Sequence, residues 1–358
     1  MSSTNKSMTA IVVVVIVILA GAGAYWVIMN PPVLPENPYD VAIVFATGGL
    51  GDKSFNDGCN KGAHDAVVAF NMNYTYAEPT AISEYEGYIR GYAAHAQYST
   101  AYKLIISVGF DQETALKAVA KDYPNQHFAI VDMFIDPTNY TNVASLLFNE
   151  NEGSALVGAM AGLVTTRDKI GFVGGMDIPL INKFAGGYIW GANRSNVNVN
   201  FTIAYTGDWV NTAAGKSLAD GMYAAGFDII FAAAGRSGLG VIDSAKSTNG
   251  TKAYPVWAIG VDSPQMDLGI NAANNLTVVL TSMLKRVDIA IYRQFESVFL
   301  GTWTGGLKFG TVGNGLVGYE VNPTWVHLDD SVYTYLFSLE NEIGTGAVTV
   351  PDTKYWIH

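Results

Sequence analysis

Charge is scarce in this chain. Asp, Glu, Lys and Arg make up 14% of its 358 residues, well below the quarter usual in globular proteins. What charge there is leans acidic: 20 Lys and Arg stand against 31 Asp and Glu, a formal net charge of −11. No run of five basic residues occurs, which argues against nucleic acid as a partner. An acidic protein also repels phosphorylated ligands unless a local basic pocket overrides the field. Cysteine is rarer still. The single Cys59 excludes a disulfide framework and a multi-cysteine metal site. The histidines at 64, 95, 127, 327 and 358 form no H-x-x-x-H or H-E-x-x-H pair, so no metal or other cofactor is expected.

Apolar residues, by contrast, make up 49%, enough to exclude disorder for most of the chain. They are unevenly placed. From Met8 to Met29 the chain carries no charge over 22 residues. At about 1.5 Å per residue such a helix reaches across a hydrocarbon core of about 30 Å. Tyr25 and Trp26 fall where interfacial aromatics belong, and Lys6 before the segment places residues 1–7 inside and the bulk of the chain outside. An uncleaved anchor over 8–29 is the favoured reading. A cleaved signal peptide is the alternative, because Ala20-Gly21-Ala22 and Ala22-Gly23-Ala24 resemble cleavage sites. Residues 30–38, NPPVLPENP, then read as a stiff Pro-rich spacer. Sequons at Asn73, Asn139, Asn193, Asn200, Asn249 and Asn275 agree with export and glycosylation.

Beyond Tyr39, short apolar runs alternate with helical patterns. VAIVFAT (41–47), KLIISVG (103–109) and HFAIVDMF (127–134) make one series. KIGFVGG (169–175), FTIAYTG (201–207), DIIFAAAG (228–235) and YPVWAIGVD (254–262) make a second. Fully apolar strands alternating with helices mean parallel sheets covered on both faces. The break falls near NVASLLFNENEG (142–153). The expected fold is therefore α/β, as two doubly wound lobes: 39–145 with 281–315, and 146–280 with 316–358. Ligands of such sheets bind beyond the carboxyl ends of the strands. The residues there are GGLGDKSFN (48–56), Gly109-Phe110-Asp111, Gly174 to Asp177, Gly207-Asp208-Trp209, Gly235 to Gly238 and Gly260 to Ser263. One tempting motif fails. GGLGDKS (48–54) looks like a phosphate loop, but Asp52 stands where the pattern needs glycine before Lys53, and a carboxylate repels phosphate.

At these loops the chain resembles the basic-membrane-protein family of nucleoside-binding proteins, which serve ABC transporters. The matching stretches are GGLGDKSFN, YPNQHFAIVD, NVASLLFNENEGSALVGAMAGL, KIGFVGGMDIPLINKFAGGYIWGA, AAGRSGLGVIDSAK, AIGVDSPQ and VLTSMLKRVD, in the family's order over about residues 40–300. The resemblance implies the type I periplasmic-binding-protein fold, two Rossmann-like lobes joined by three crossovers. It also implies an extracytoplasmic binding protein that captures a nucleoside, a purine one by preference, and delivers it to an ABC permease. Bacterial members are lipid-anchored through a cysteine after the signal. Here a helix replaces the lipid, which looks archaeal.

Asp262 ends a strand, and its carboxylate can accept both hydroxyls of a ribose diol; the resemblance gives it that role, and a helix N-cap is the alternative. Lys285 is read as starting a helix after LTVVL, where it opposes the helix dipole. A ligand oxygen or Asp262 would compensate, and the resemblance implies a sugar contact. Asn56 can donate and accept at once, which suits a purine edge, or it caps the following helix. Phe55 and Leu50 share its loop and could flank the base. Trp209 and Phe184 are the other stacking candidates, each equally suited to a core role. Gly235 would present backbone to the sugar. Asp111 is shifted from the position, near Thr114, where the family usually carries an acid, and Arg236 replaces a glycine often found in the family. Two other readings compete. A ligand-sensing or adhesion ectodomain of the same fold would need an output domain, and residues 1–7 leave no room for one. A nucleoside hydrolase would need a metal or a poised base to activate water, and the cluster of aspartates for it is missing.

Overall fold

The computed structural model describes residues 33–271 and 276–353. The candidate anchor at 8–29 lies outside the described residues. Among the described residues no helix is long and apolar enough to cross a membrane. Residues 33–38 and 95–101 form a small unit of their own, in which Ser99 N donates to Pro35 O and Asn37 N to Thr100 Oγ1. All else described belongs to one larger unit.

That unit is built on two six-stranded sheets. The first takes β1 (Val41–Val44), β2 (Tyr74–Ala77), β3 (Leu104–Val108), β4 (Phe128–Val131), β5 (Val143–Phe148) and the late β13 (Gly306–Gly310). They lie in the order β13-β5-β4-β3-β1-β2, every neighbour parallel. The second takes β6 (Lys169–Gly174), β7 (Asn200–Tyr205), β8 (Ile229–Ala233), β9 (Trp257–Asp262), β12 (Val279–Lys285) and β14 (Val317–Tyr319), in the order β14-β12-β9-β8-β6-β7. Only β14 runs antiparallel to its neighbour. A small hairpin, β10 (Ile270–Asn271) with β11 (Leu276–Thr277), precedes β12. Strands such as VAIV and LIISV are buried along their whole length, as expected of parallel strands with helices on both faces.

The helices are α1 (Phe55–Phe70), α2 (Tyr85–Ala94), α3 (Glu113–Asp122), α4 (Glu150–Val164), α5 (Pro179–Ser195), α6 (Thr212–Ala224), α7 (Leu239–Thr248), α8 (Val287–Phe299) and α9 (Asp330–Gly344). The chain passes between the sheets three times: after β5, after β12 and after β13. The return to the first sheet begins later than expected. Residues 281–285 do not enter the first lobe; they complete β12, whose apolar face pairs with β9 in the second sheet. Residues 146–148 likewise complete β5 in the first sheet. Lys285 therefore ends a strand instead of starting a helix, and α8 begins at Val287. Helix α8 then packs on α1, where Phe70 meets Tyr292 and Phe299 at ring-centroid distances of 5.2 and 5.1 Å.

Glycine sets the closest helix contact. On α4 and α5 glycines recur four residues apart, at 158 and 162 and at 187 and 191, so they share one face of each helix. A Cβ at Gly158 would lie 2.0 Å from Tyr188 O, and one at Gly191 1.9 Å from Ala155 O. The two backbones touch directly. Gly191→Val should therefore destabilise the protein by about 3 kcal/mol or more, since overpacking a rigid contact costs about 1–3 kcal/mol and the valine adds a β-branch. Gly221→Ala is the counterpart in α6, where a new Cβ meets nothing within 4 Å; a gain of about 0.5–1 kcal/mol is expected. Urea midpoints of the two variants check both signs, and equal midpoints would contradict the packing argument.

Candidate functional site: a cleft at the strand ends

The carboxyl ends of β1, β3, β4, β8, β9 and β12 converge on one cavity, which holds ≈ 740 Å³ of empty space with its open mouth included. Eight of the binding residues expected from the sequence line it: Asn56, Phe55, Asp111, Phe184, Trp209, Gly235, Asp262 and Lys285. Leu50 is not among the lining residues. Asp132, Phe110 and Arg236 are.

The charged centre is Lys285. Its ammonium lies 2.6 Å from Asp132 Oδ2, 3.7 Å from Asp262 Oδ1 and 4.0 Å from Glu150 Oε1, with the side chain 3% exposed. The rings of Phe55, Phe184 and Phe148 stand 4.7, 5.5 and 5.7 Å from the same nitrogen. Burial would depress this ammonium, but the carboxylates of Asp132, Asp262 and Glu150 outweigh it, so Lys285 stays firmly charged. Asp262 and Asp132 both sit in the left-handed backbone region, at φ 63° and 64°, a conformation uncommon outside glycine and costly to hold. Burial lifts the Asp262 carboxyl above its usual range, against the pull of Lys285 and Ser54. Its Oδ2 accepts from Ser54 Oγ at 2.7 Å, so it does not cap a helix. Its Oδ1, and Asp132 Oδ1, are buried without a hydrogen-bond partner. Each is a buried acceptor without a hydrogen-bond donor, although Asp262 Oδ1 keeps the Lys285 ammonium at 3.7 Å.

A second polar group stands at Asp111. Its Oδ2 accepts from the Tyr85 hydroxyl at 2.9 Å, and the same hydroxyl oxygen accepts from Thr47 N at 2.8 Å. Burial raises the Asp111 carboxyl. Asn56 is the second residue of α1, not its cap; the N-cap position belongs to Ser54. Its Oδ1 accepts from Ala46 N and its Nδ2 donates to Gly49 O, which leaves one N–H to face the cavity. Phe184 is 2% exposed and packs towards Phe231, while Phe55 and Trp209 are half-buried. Trp209 lies flat against Gly175, where a Cβ would come within 2.2 Å of its ring. Gly235 has a φ of +54°, in the region that favours glycine; a Cβ there would make only ordinary contacts with Trp209, at 3.4 Å and beyond.

Sequence reasoning missed Asp132, Glu150, Ser54 and Tyr85. Asp132 carried a usable signal: it follows FAIV as Asp262 follows AIGV, an acid where an apolar strand stops. Reading HFAIVDMF as one long strand hid it. Glu150 gave no such signal, because an acid at the first residue of a helix is ordinary dipole chemistry. Among the described residues no cluster of three or more His, Cys, Asp or Glu is suited to a metal ion.

A family model for PnrA-like ABC transporter substrate-binding proteins, Bmp, matches residues 39–354. The chain belongs to this family. It is 32% identical to the ABC transporter nucleoside-binding protein BmpA of Lactococcus lactis over 320 residues, 87% of this chain and 88% of that protein. It is 37% identical to the CD4+ T-cell-stimulating antigen of Listeria monocytogenes over 281 residues, 75% of this chain and 76% of that one. Among solved structures, a solute-binding protein of an ABC transporter system from Aeropyrum pernix superposes with a TM-score of 0.76 at 25% identity, covering 88% of this chain and 95% of its own. This Bmp-family protein is thus a substrate-binding protein of an ABC transporter and not an enzyme.

The Lys285 centre makes a pH-dependent contribution to stability. Burial pushes Glu150 up to about 7 from 4.5, with Lys285 pulling the other way and Asp132 adding to the rise. Between those values the folded protein holds a proton that the unfolded chain has released. Stability from this group is therefore full below about pH 4.5 and is lost as pH rises through about 7. The slope is at most about 1.4 kcal/mol per pH unit. Glu150→Gln should flatten the fall in urea midpoint between pH 5 and pH 7 that this shift predicts for the wild type. An identical slope in both proteins would remove Glu150 as its source.

Proposed function

We propose that this Bmp-family protein captures a nucleoside, a purine riboside by preference, in the cleft between its two sheets and hands it to an ABC permease. The observation that carries the reading is the pair of buried carboxylate oxygens on Asp262 and Asp132 that accept no hydrogen bond, set beside Lys285 and a wall of aromatic rings. Carboxylate oxygens want hydroxyl donors, and a ribose offers two on adjacent carbons. The rings of Phe55, Phe110, Phe184 and Trp209 suit the flat faces of a base. Asp111 and the remaining N–H of Asn56 supply an acceptor and a donor for its edge. The name of the Lactococcus relative supports the same ligand class. In this reading residues 8–29 hold the protein at the outer face of the membrane as a single-pass anchor, and residues 30–38 space it from the surface.

Charge then sets selectivity. Each hydrogen bond from a ribose hydroxyl to ionised Asp262 contributes about 1.5–3 kcal/mol. A 5′-phosphate brings about two negative charges towards a protein of net charge −11, whose cleft offers Lys285, already surrounded by acids, and Arg236, already donating to Gly48 O and Leu50 O. Nucleosides should bind tightly, their monophosphates poorly, and free bases weakly for want of the diol. Asp262→Ala should weaken ribosides at least about tenfold and bases far less. Titration calorimetry with adenosine, guanosine, adenine and adenosine monophosphate checks this. Equal affinity for adenosine and its monophosphate, or unchanged riboside affinity in the variant, would refute the sugar role of Asp262.

A further inference from the structure

The two halves of the cleft are tied by direct hydrogen bonds that involve no ligand. From the second sheet's side, Ser263 Oγ donates to Ser54 O at 2.9 Å and Gln265 Nε2 to Lys53 O at 2.8 Å. Both belong to the segment after β9, and both reach the turn before α1. Arg236, in the loop after β8, makes a separate and stronger tie. Its Nη2 donates to Gly48 O at 2.8 Å and to Leu50 O at 2.6 Å. A guanidinium gripping two carbonyls of one loop is a charge-assisted clamp with a fixed planar geometry.

The loop it grips is built to be held from both sides. Gly48, Gly49 and Gly51 all have positive φ, so the backbone turns its carbonyls outward without steric cost. From its own side, Glu78 Oε2 accepts from Leu50 N at 2.7 Å and Asn56 holds Gly49 O. From the far side, Arg236 takes the carbonyls on either flank of Gly49. The same loop and Arg236 both line the cavity, next to Trp209 and Val210.

We propose that Arg236 is a positioning residue that latches the cleft shut: its grip on Gly48 and Leu50 sets how slowly the bound solute departs and favours the closed form whatever the solute is. The latch acts on backbone, so it requires no particular ligand. Its loss should raise the dissociation rate and leave the encounter rate nearly unchanged, because most interface changes appear in the off-rate.

Two measurements on the full-length chain in detergent test this. Spin labels on cysteines placed at His64 of α1 and Lys246 of α7, both exposed, report the distance between the halves without added solute; the native Cys59 is buried and takes no label. Arg236→Ala should shift the distribution towards longer distances, and Arg236→Lys, which keeps the charge on a shorter side chain without the planar guanidinium, should fall between. Stopped-flow release of adenosine should accelerate by about tenfold or more in Arg236→Ala, with association changed less than about threefold. Unchanged distances and release in both variants overturn the latch. Faster release with unchanged distances also overturns it, because Arg236 would then be acting on the solute itself. If Arg236→Ala does not fold, the lysine variant decides on the same readouts. The release measurement rests on the nucleoside reading and the distances do not: a wild type that ignores adenosine yet opens on losing Arg236 would refute that reading and leave the latch standing.

Discussion

One buried ammonium organises this cleft. Lys285 ends β12 in the second sheet, and its tightest partner, Asp132, ends β4 in the first. Glu150 opens α4 just after the chain first leaves the first sheet, and Asp262 ends β9. A charge this deep is costly to hold unless paired. Three acids drawn from both halves of the fold supply the pairing. Lys183 adds a second cation at 3.4 Å from Glu150 Oε2, so the acids do not face Lys285 alone. The arrangement explains why Asp132 and Asp262 keep left-handed backbone at strand ends. Relaxing either would swing its carboxylate away from the ammonium, and the electrostatic loss exceeds the backbone strain of about 1–3 kcal/mol.

Helix packing does a separate job on the other side of this centre. Glycines 158, 162, 187 and 191 bring α4 and α5 into backbone contact. That contact fixes the start of α4, and so Glu150, relative to α5, and so Phe184 and Lys183. Asn151 reinforces it by donating to Val350 O near the end of the described chain. The aromatic wall and the buried charges are thus held by helices that cannot slide past one another without a clash. Under the proposed latch, such rigid halves would confine opening and closing to the three passages between the sheets.

Much of this was legible in the sequence, for a physical reason. Parallel strands buried on both faces print as short, wholly apolar runs, and ligand loops follow them at once. The site residues expected from those loops, Leu50 apart, line a single cavity. What stayed hidden depended on long-range pairing. β2, YTYA, is half exposed at a sheet edge and lacks the apolar run of its neighbours. β13, GLKFG, joins the first sheet from more than 150 residues beyond its partner β5, and nothing local announces that. Lys285 was misplaced for a related reason. VLTSMLK looks like a strand that gives way to a helix, but pairing with β9 and β14 carries the strand to its last residue. The sequence offers Asn56 as a purine contact or a helix cap, and only the folded loop shows its two backbone partners.

In the proposed reading, the two oxygens of Asp262 divide between closure and capture. Oδ2 receives the Ser54 hydroxyl from the first half of the fold, while Oδ1 remains without a hydrogen bond. A solute hydroxyl that takes Oδ1 does not displace Ser54, so the two events do not compete for one lone pair. Both favour the ionised carboxylate, against a burial that lifts its pKa. Each therefore makes the other easier: closure through Ser54 readies Oδ1 as an anionic acceptor, and a bound hydroxyl strengthens the charge that holds Ser54. By linkage, the factor by which a hydroxyl-bearing solute favours closure is the factor by which closure favours that solute. A solute without a hydroxyl at Oδ1 would gain nothing from this coupling. It would meet a cleft whose shutting leaves a buried carboxylate oxygen still unsatisfied.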